Sequence, residues 1–401
     1  MTHRLSRRRA LVLAGGGVAA LAGCIGDDSE EDDANGVSDD EGTEAADRDG
    51  SENGSGNGSG SDGANGTDGE NGGSSTESEA TIEGPLPLVE PAVPLQYDLG
   101  TFEEEAVNGG PPKDGIPSID DPNFDSAEEG GDDLDPADPV FGVEIDGDAR
   151  AYRQDVLVHH EIVNDTVGGR NVAVTYCPLT GTAIGFERGD VEFGVSGMLV
   201  NNNLIMYDRE TDSWWPQILG TAVKGELTGS ALREVRVTWT TWERWRDEHP
   251  ETQVLNTNTG HARNYGRDPY GSYNPRGGYY DNDRFLFENL TEDDRLPLKD
   301  VVVGARSADG AVAFEKKLLR DEGLLETTVD GIPYLAAYDS ALDTAYIYRN
   351  PDEISVERTS AGYESTEGSH GAGNIPLTST NTFDGMWFAW VGFYPDLDLV
   401  A

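Results

Sequence analysis

The sequence predicts a mainly β protein, a β-rich α+β fold made of two related lobes with short helices, and three observations predict it. β-branched and aromatic runs such as Val140-Phe141-Gly142-Val143-Glu144-Ile145 and Asn171-Val172-Ala173-Val174-Thr175-Tyr176 are punctuated by the turn pairs Asp146-Gly147 and Gly168-Gly169. The chain also matches itself without a gap when residues 142 to 188 are laid on 304 to 350. The identities are Gly142/Gly304, Ala149/Ala311, Ala151/Ala313, Leu157/Leu319, Thr166/Thr328, Val167/Val329, Gly169/Gly331, Tyr176/Tyr338, Thr182/Thr344 and Ala183/Ala345. Chance gives about three at ordinary residue frequencies, so the match reads as an internal duplication. Third, the clearest helix is short: Thr241 to His249, opened by a threonine able to cap it, closed by Pro250, and burying Trp242 and Trp245.

Taken in order, the chain begins with an export pattern. Residues 1–23 read as a twin-arginine lipoprotein signal: Arg7-Arg8-Arg9 precedes an apolar run from Ala10 to Ala22, too short to span a bilayer, which needs about 20 residues. Leu21-Ala22-Gly23-Cys24 resembles a lipobox, which makes Cys24 the expected lipidated N-terminus and the membrane the expected partner. Residues 24–94 read as an acidic tether. From Ile25 to Glu83 there is no aromatic residue, and such a composition cannot bury enough apolar surface to offset its ordering entropy. The first lobe is expected over 95–290 and the second, degenerate one over 291–401.

A formal net charge of −48, with 76 acidic residues against 28 basic ones, excludes a nucleic-acid binder, because no basic stripe could follow a phosphate backbone. Acids are spread along the folded part as well as the tether. That distribution fits a surface adapted to strong salt, where screening falls to about 3 Å at 1 M and carboxylates repel little.

The lobe comparison separates scaffold from chemistry, since residues the fold needs should recur in both copies. His159, His160, Asn164 and Cys177 of the first lobe face Asp321, Glu322, Glu326 and Asp339 of the second. After Cys24, Cys177 is the one remaining thiol. On its strand Val172, Val174 and Tyr176 share one face and Ala173, Thr175 and Cys177 the other. If Val158 to Asn164 is extended, His160 turns inward with Ile162. The candidate catalytic residues are therefore Cys177, His160, Asn164 and Asp208, with Asn201, Asn203 and Tyr207 as cofactor-binding candidates from the amide-rich stretch that follows. Three readings stay open at this point. An imidazole could activate the thiol for redox or nucleophilic chemistry. His160, Cys177 and Met198 could hold a soft metal such as copper. Or Cys177 and His160 could simply be core. The alternative function is a non-catalytic binding module for a small molecule, a cell-surface polymer or a protein partner, in which tryptophans and Asn-rich loops stack on sugars. Asn53, Asn57, Asn65, Asn164 and Asn289 open possible glycosylation sequons.

Ordered motifs from about Asn108 to the C-terminus resemble the family of unknown function numbered 3179. They include Lys113-Asp114-Gly115-Ile116-Pro117, His160-Glu161-Ile162-Val163-Asn164-Asp165, Tyr176-Cys177-Pro178-Leu179-Thr180-Gly181-Thr182, Met206-Tyr207-Asp208-Arg209 and Trp387-Phe388-Ala389-Trp390. The resemblance implies no activity. It does imply a second cysteine in many relatives where Thr180 stands here, so neither an internal disulfide nor a two-thiol metal clamp is expected of this chain.

Overall fold

The computed structural model describes residues 85–91 and 93–401; the signal, Cys24, most of the acidic tether and the sequons at Asn53, Asn57 and Asn65 lie outside them. The fold begins earlier than position 95. Leu88–Val89 pairs with Ala231–Leu232, and the helix Leu99–Glu104 buries Phe102.

Twenty-eight strands and short helices, the longest of seven residues, make the described part β-rich. One unit runs β1 (Pro139–Ile145), β2 (Asp148–Arg153), α1 (Gln154–Leu157), β3 (Ile162–Val167), β4 (Arg170–Cys177) and β5 (Thr182–Glu187). An added sheet follows: β6 (Phe193–Val200), β7 (Asn203–Asp208) and β8 (Trp214–Pro216). The unit closes with β9 (Thr238–Thr241), α2 (Trp242–Glu248) and β10 (Gln253–Leu255), after which comes a hairpin, β11 (Gly271–Tyr273) and β12 (Arg276–Gly278). The second unit is β13 (Val301–Ser307), β14 (Gly310–Glu315), α3 (Lys316–Glu322), β15 (Leu324–Val329), β16 (Ile332–Asp339), β17 (Thr344–Arg349), β18 (Thr382–Met386), α4 (Trp387–Phe393) and β19 (Asp398–Val400).

From β1 to β5 and from β13 to β17 the strand limits correspond at one constant offset, and the closing elements pair alike in both units. β9 joins β1 antiparallel as β18 joins β13, and β10 joins β2 parallel as β19 joins β14. The turns explain the hairpins. Asp146-Gly147 and Asp330-Gly331 take positive φ at both central positions, which suits the right-handed twist of the flanking strands.

Each unit packs a tryptophan of its closing helix onto a glycine. A Cβ on Gly142 would lie 2.2 Å from the Trp245 ring, and one on Gly304 2.4 Å from Trp390. Trp242 and Trp245 are buried as expected, but Thr241 does not cap α2. Its side chain makes no cap bond, and the first helical N–H groups instead reach the Asp138 and Pro136 carbonyls.

Val172, Val174 and Tyr176 face a core with Phe141, Tyr152 and Trp239, while Ala173 and Cys177 face the opposite one. That opposite core draws Phe102, Phe193 and Trp215 together with Trp387, Trp390 and Phe393, so the halves on either side of position 290 share apolar interior. Among the described residues no helix is long and apolar enough to cross a membrane.

Candidate functional site

β4 ends at Cys177, paired with Thr182, and the thiol is 1% exposed, with the Asn202 carbonyl 3.6 Å away. Burial pushes the thiol up to about 11, and the neighbouring Glu161 carboxylate pushes in the same direction. That direction is opposite to the one an imidazole-activated thiolate needs. His160 is buried, but Val158 to Glu161 is not extended: it continues α1 into a turn, and Glu161 takes φ +59°. The His160 ring is hydrogen-bonded at both nitrogens, Nδ1 to the Pro117 carbonyl and Nε2 to the Tyr265 hydroxyl, each at 2.7 Å. Burial holds its pKa down to about 4, so the ring is neutral near pH 7.

The remaining candidates from the sequence act as splints between segments. Asn164 pairs with the backbone of Phe193 through both ends of its amide. Asp208 gathers Thr211, the Ser213 N–H and the Trp215 indole into one turn. Asn201 ties Gly392 to Leu290, and Asn203 joins Thr180, Gln217 and the Ile218 N–H. Tyr207 donates to Asp114 at 2.6 Å beneath the Lys113 ammonium. Met198 lies on β6 against Asn108, and among the described residues no three His, Cys, Asp or Glu side chains are arranged to hold a metal. The amides of Asn164 and Asn289 donate inside the fold, Asn289 to the Phe388 carbonyl, which opposes glycosylation at either.

The residue that sequence reasoning passed over is Glu161. It is 7% exposed, its carboxyl forms no hydrogen bond with the described residues, and its backbone is left-handed. The second unit has Gly323 at this place, with φ +76° and the same two backbone bonds: Leu157 and Leu319 accept from the N–H, and Tyr176 and Tyr338 donate to the carbonyl. The Glu161/Gly323 pairing was the available signal, because a left-handed position suits glycine. Burial raises the carboxyl from 4.5 to about 8. The folded state therefore holds a proton that the unfolded state releases, and stability falls as pH rises from about 4.5 to about 8. Glu161→Gln is expected to flatten that window and to raise unfolding free energy above pH 8 by a few kcal/mol, on the order that such a shift implies. Denaturant titrations across pH check this; parallel curves for the two proteins would refute it.

A chemically varied cleft of about 450 Å³ lies where the two units meet, within the usual range of small-molecule pockets. Unit one contributes Trp239 and Thr240, the β11–β12 hairpin Tyr273 and Arg276, and unit two most of the charge. Trp239 and Tyr273 form an aromatic wall, with ring centroids 4.6 Å apart, and the Arg276 guanidinium lies 5.0 Å from the Tyr273 ring centre.

Four cations, Arg276, Lys316, Lys317 and Arg320, meet four carboxylates, Asp300, Glu315, Asp343 and Asp384. Two ion pairs form the floor: buried Lys316 with buried Asp384 at 2.5 Å, and Arg320 bidentate on Asp343. Burial pushes Asp343 up, but Arg320 and Lys316 outweigh it and hold that carboxyl at about 2. Burial raises Asp384 in spite of its lysine. The other two cations and two carboxylates make no ion pair with the described residues. The matched positions of Lys316 and Asp384 in unit one are Gln154 and Trp239, so the fold does not require these charges.

No curated protein and no solved structure is similar to the chain. A family profile, described as a protein of unknown function (DUF3179), matches residues 113–397, from the Lys113 that covers Tyr207 to just before β19, and the chain belongs to that family.

Proposed function

We propose that the protein is a binding module tethered by lipidated Cys24 to the outer face of the membrane, and that the cleft between its two units takes a neutral, hydroxyl-rich ligand such as a segment of cell-surface saccharide. The observation that carries this reading is the charge balance of the cleft. In a chain of net charge −48, four cations offset four carboxylates beside an aromatic wall. A sugar presents apolar C–H faces to rings and paired hydroxyls to charged groups, and an electrically balanced site favours neither anions nor cations. The Arg7-Arg8 pattern and the acidic tether support a location outside the cell, where polymer is at hand. The matched strand limits further favour descent of both units from one duplicated ancestor, with the second unit acquiring the charged floor.

Titration of the full-length chain with neutral, uronic and amino oligosaccharides, followed by tryptophan fluorescence and calorimetry, tests the reading. Neutral sugars are expected to bind and to perturb Trp239 emission. Tyr273→Ala should weaken binding about tenfold, roughly the 1.4 kcal/mol that one aromatic platform supplies. Binding that is confined to charged sugars, or that is indifferent to Tyr273, contradicts it.

A further inference from the structure

In unit one the outer edge of β3 is covered. The segment around Ile119 lies parallel against Val163, its N–H donating to the Ile162 carbonyl at 2.9 Å and its carbonyl accepting from the Asn164 N–H at 2.8 Å. The Asn164 side chain then clips β6 over the same edge. In unit two the corresponding strand, β15, ends its sheet, with β16 on one side and no paired strand on the other among the described residues. The positions matching Ile162 and Asn164 are Leu324 and Glu326, whose outward carbonyl and N–H make no bond with the described residues. Glu326 and Thr328 are exposed, and the sheet face they share with their β16 partners Leu335 and Pro333 carries an open groove of about 500 Å³ that Glu353 and Ile354 also line.

We propose that the outer edge of β15 receives an extended, basic segment of a partner protein by strand addition, in the way the Ile119 segment completes β3. Two features select that occupant. An unpaired edge offers main-chain donors and acceptors in register to an added strand. The second is charge: Glu326 and Glu353 flank the groove, with Asp321 and Glu322 just before the strand, so lysines or arginines on the incoming segment meet opposite charge. A second copy of this chain would instead oppose Glu326 to its own kind in a molecule of net charge −48.

The probe is a short synthetic peptide alternating valine and lysine, with its valine–glutamate counterpart as control, added to the full-length chain. The lysine peptide is expected to bind saturably and to slow amide hydrogen exchange at Glu326 and Thr328, while the glutamate peptide does neither. Glu326→Pro removes the outward N–H and spares the ladder to β16, because an edge strand tolerates proline on its open side; affinity should fall at least about tenfold with unchanged thermal stability. Glu326→Lys keeps the N–H and reverses the charge, and should exchange the preference of the two peptides. Absence of exchange protection, equal binding of both peptides, or unchanged affinity in both variants would overturn the proposal. So would concentration-dependent self-association that Glu326→Pro abolishes, since the edge would then belong to a second copy.

Discussion

Gly142→Ala is expected to destabilise the protein by about 3 kcal/mol or more, and Gly304→Ala to do the same in the second unit. The added methyl would sit 2.2 Å from the Trp245 ring in one case and 2.4 Å from Trp390 in the other, distances that no van der Waals contact allows. Neither neighbour can retreat cheaply. β1 is hydrogen-bonded on both sides, by β2 and β9, and the Trp245 indole is anchored to Thr252 at 2.9 Å. Trp390 is stacked on Phe383 with centroids 4.5 Å apart. The closing helix would have to lift, uncovering the apolar area beneath it at about 25 cal/mol per Å². Shrinking the ring in the same chain, as in Gly142→Ala with Trp245→Leu, should recover part of the loss. Denaturant midpoints measure both effects, and wild-type stability in Gly142→Ala would show that the helix is not seated as described.

Lys316→Ala is expected to cost about 3–5 kcal/mol, because it leaves Asp384 buried without its counter-charge. Replacing both members, Lys316→Met with Asp384→Leu, should restore most of the stability, since a buried pair exchanged for apolar side chains of similar size is commonly neutral or better. Gln154 and Trp239 at the matched positions already show that the architecture tolerates uncharged side chains there. If the pair serves the ligand, the double variant folds and loses saccharide binding. A double variant as unstable as the single one would assign the pair to the scaffold instead. Calorimetric or denaturant unfolding of the three variants, beside the binding titration, separates these results.

Much of the fold was legible in the sequence because it is written in local signals. Asp146-Gly147 and Gly168-Gly169 turn where positive φ is required, the alternation along Val172 to Cys177 sorts side chains into two cores, and Pro250 follows α2. The Gly142/Gly304 identity marks a packing contact whose tryptophan lies far along the chain, so its cause becomes visible only in three dimensions.

The site was less legible, for reasons that concern particular residues. Asn201, Asn203 and Asp208 drew notice as polar residues crowded together, yet a polar side chain that bridges backbone groups across a core has the same composition as one that binds a ligand. An extended backbone would turn His160 inward with Ile162, whereas the chain turns at Glu161 with a left-handed backbone and the ring bonds Tyr265. In the first lobe the residues without a match in the second, His160 and Cys177 among them, draw attention as chemistry. Lys316 and Asp384 in the second are equally unmatched, but the 145-residue offset that pairs Asp384 with Trp239 differs from the one that pairs the earlier strands.

One titration bears most directly on where the chemistry resides. Arg276 stands in the cleft beside Tyr273, and Cys177 lies outside it in the shared core. With the same neutral oligosaccharide, Arg276→Ala should lose at least about tenfold in affinity while Cys177→Ser binds like the parent protein. Loss of binding in Cys177→Ser, with Arg276→Ala unaffected, would contradict the cleft and return the site to the thiol.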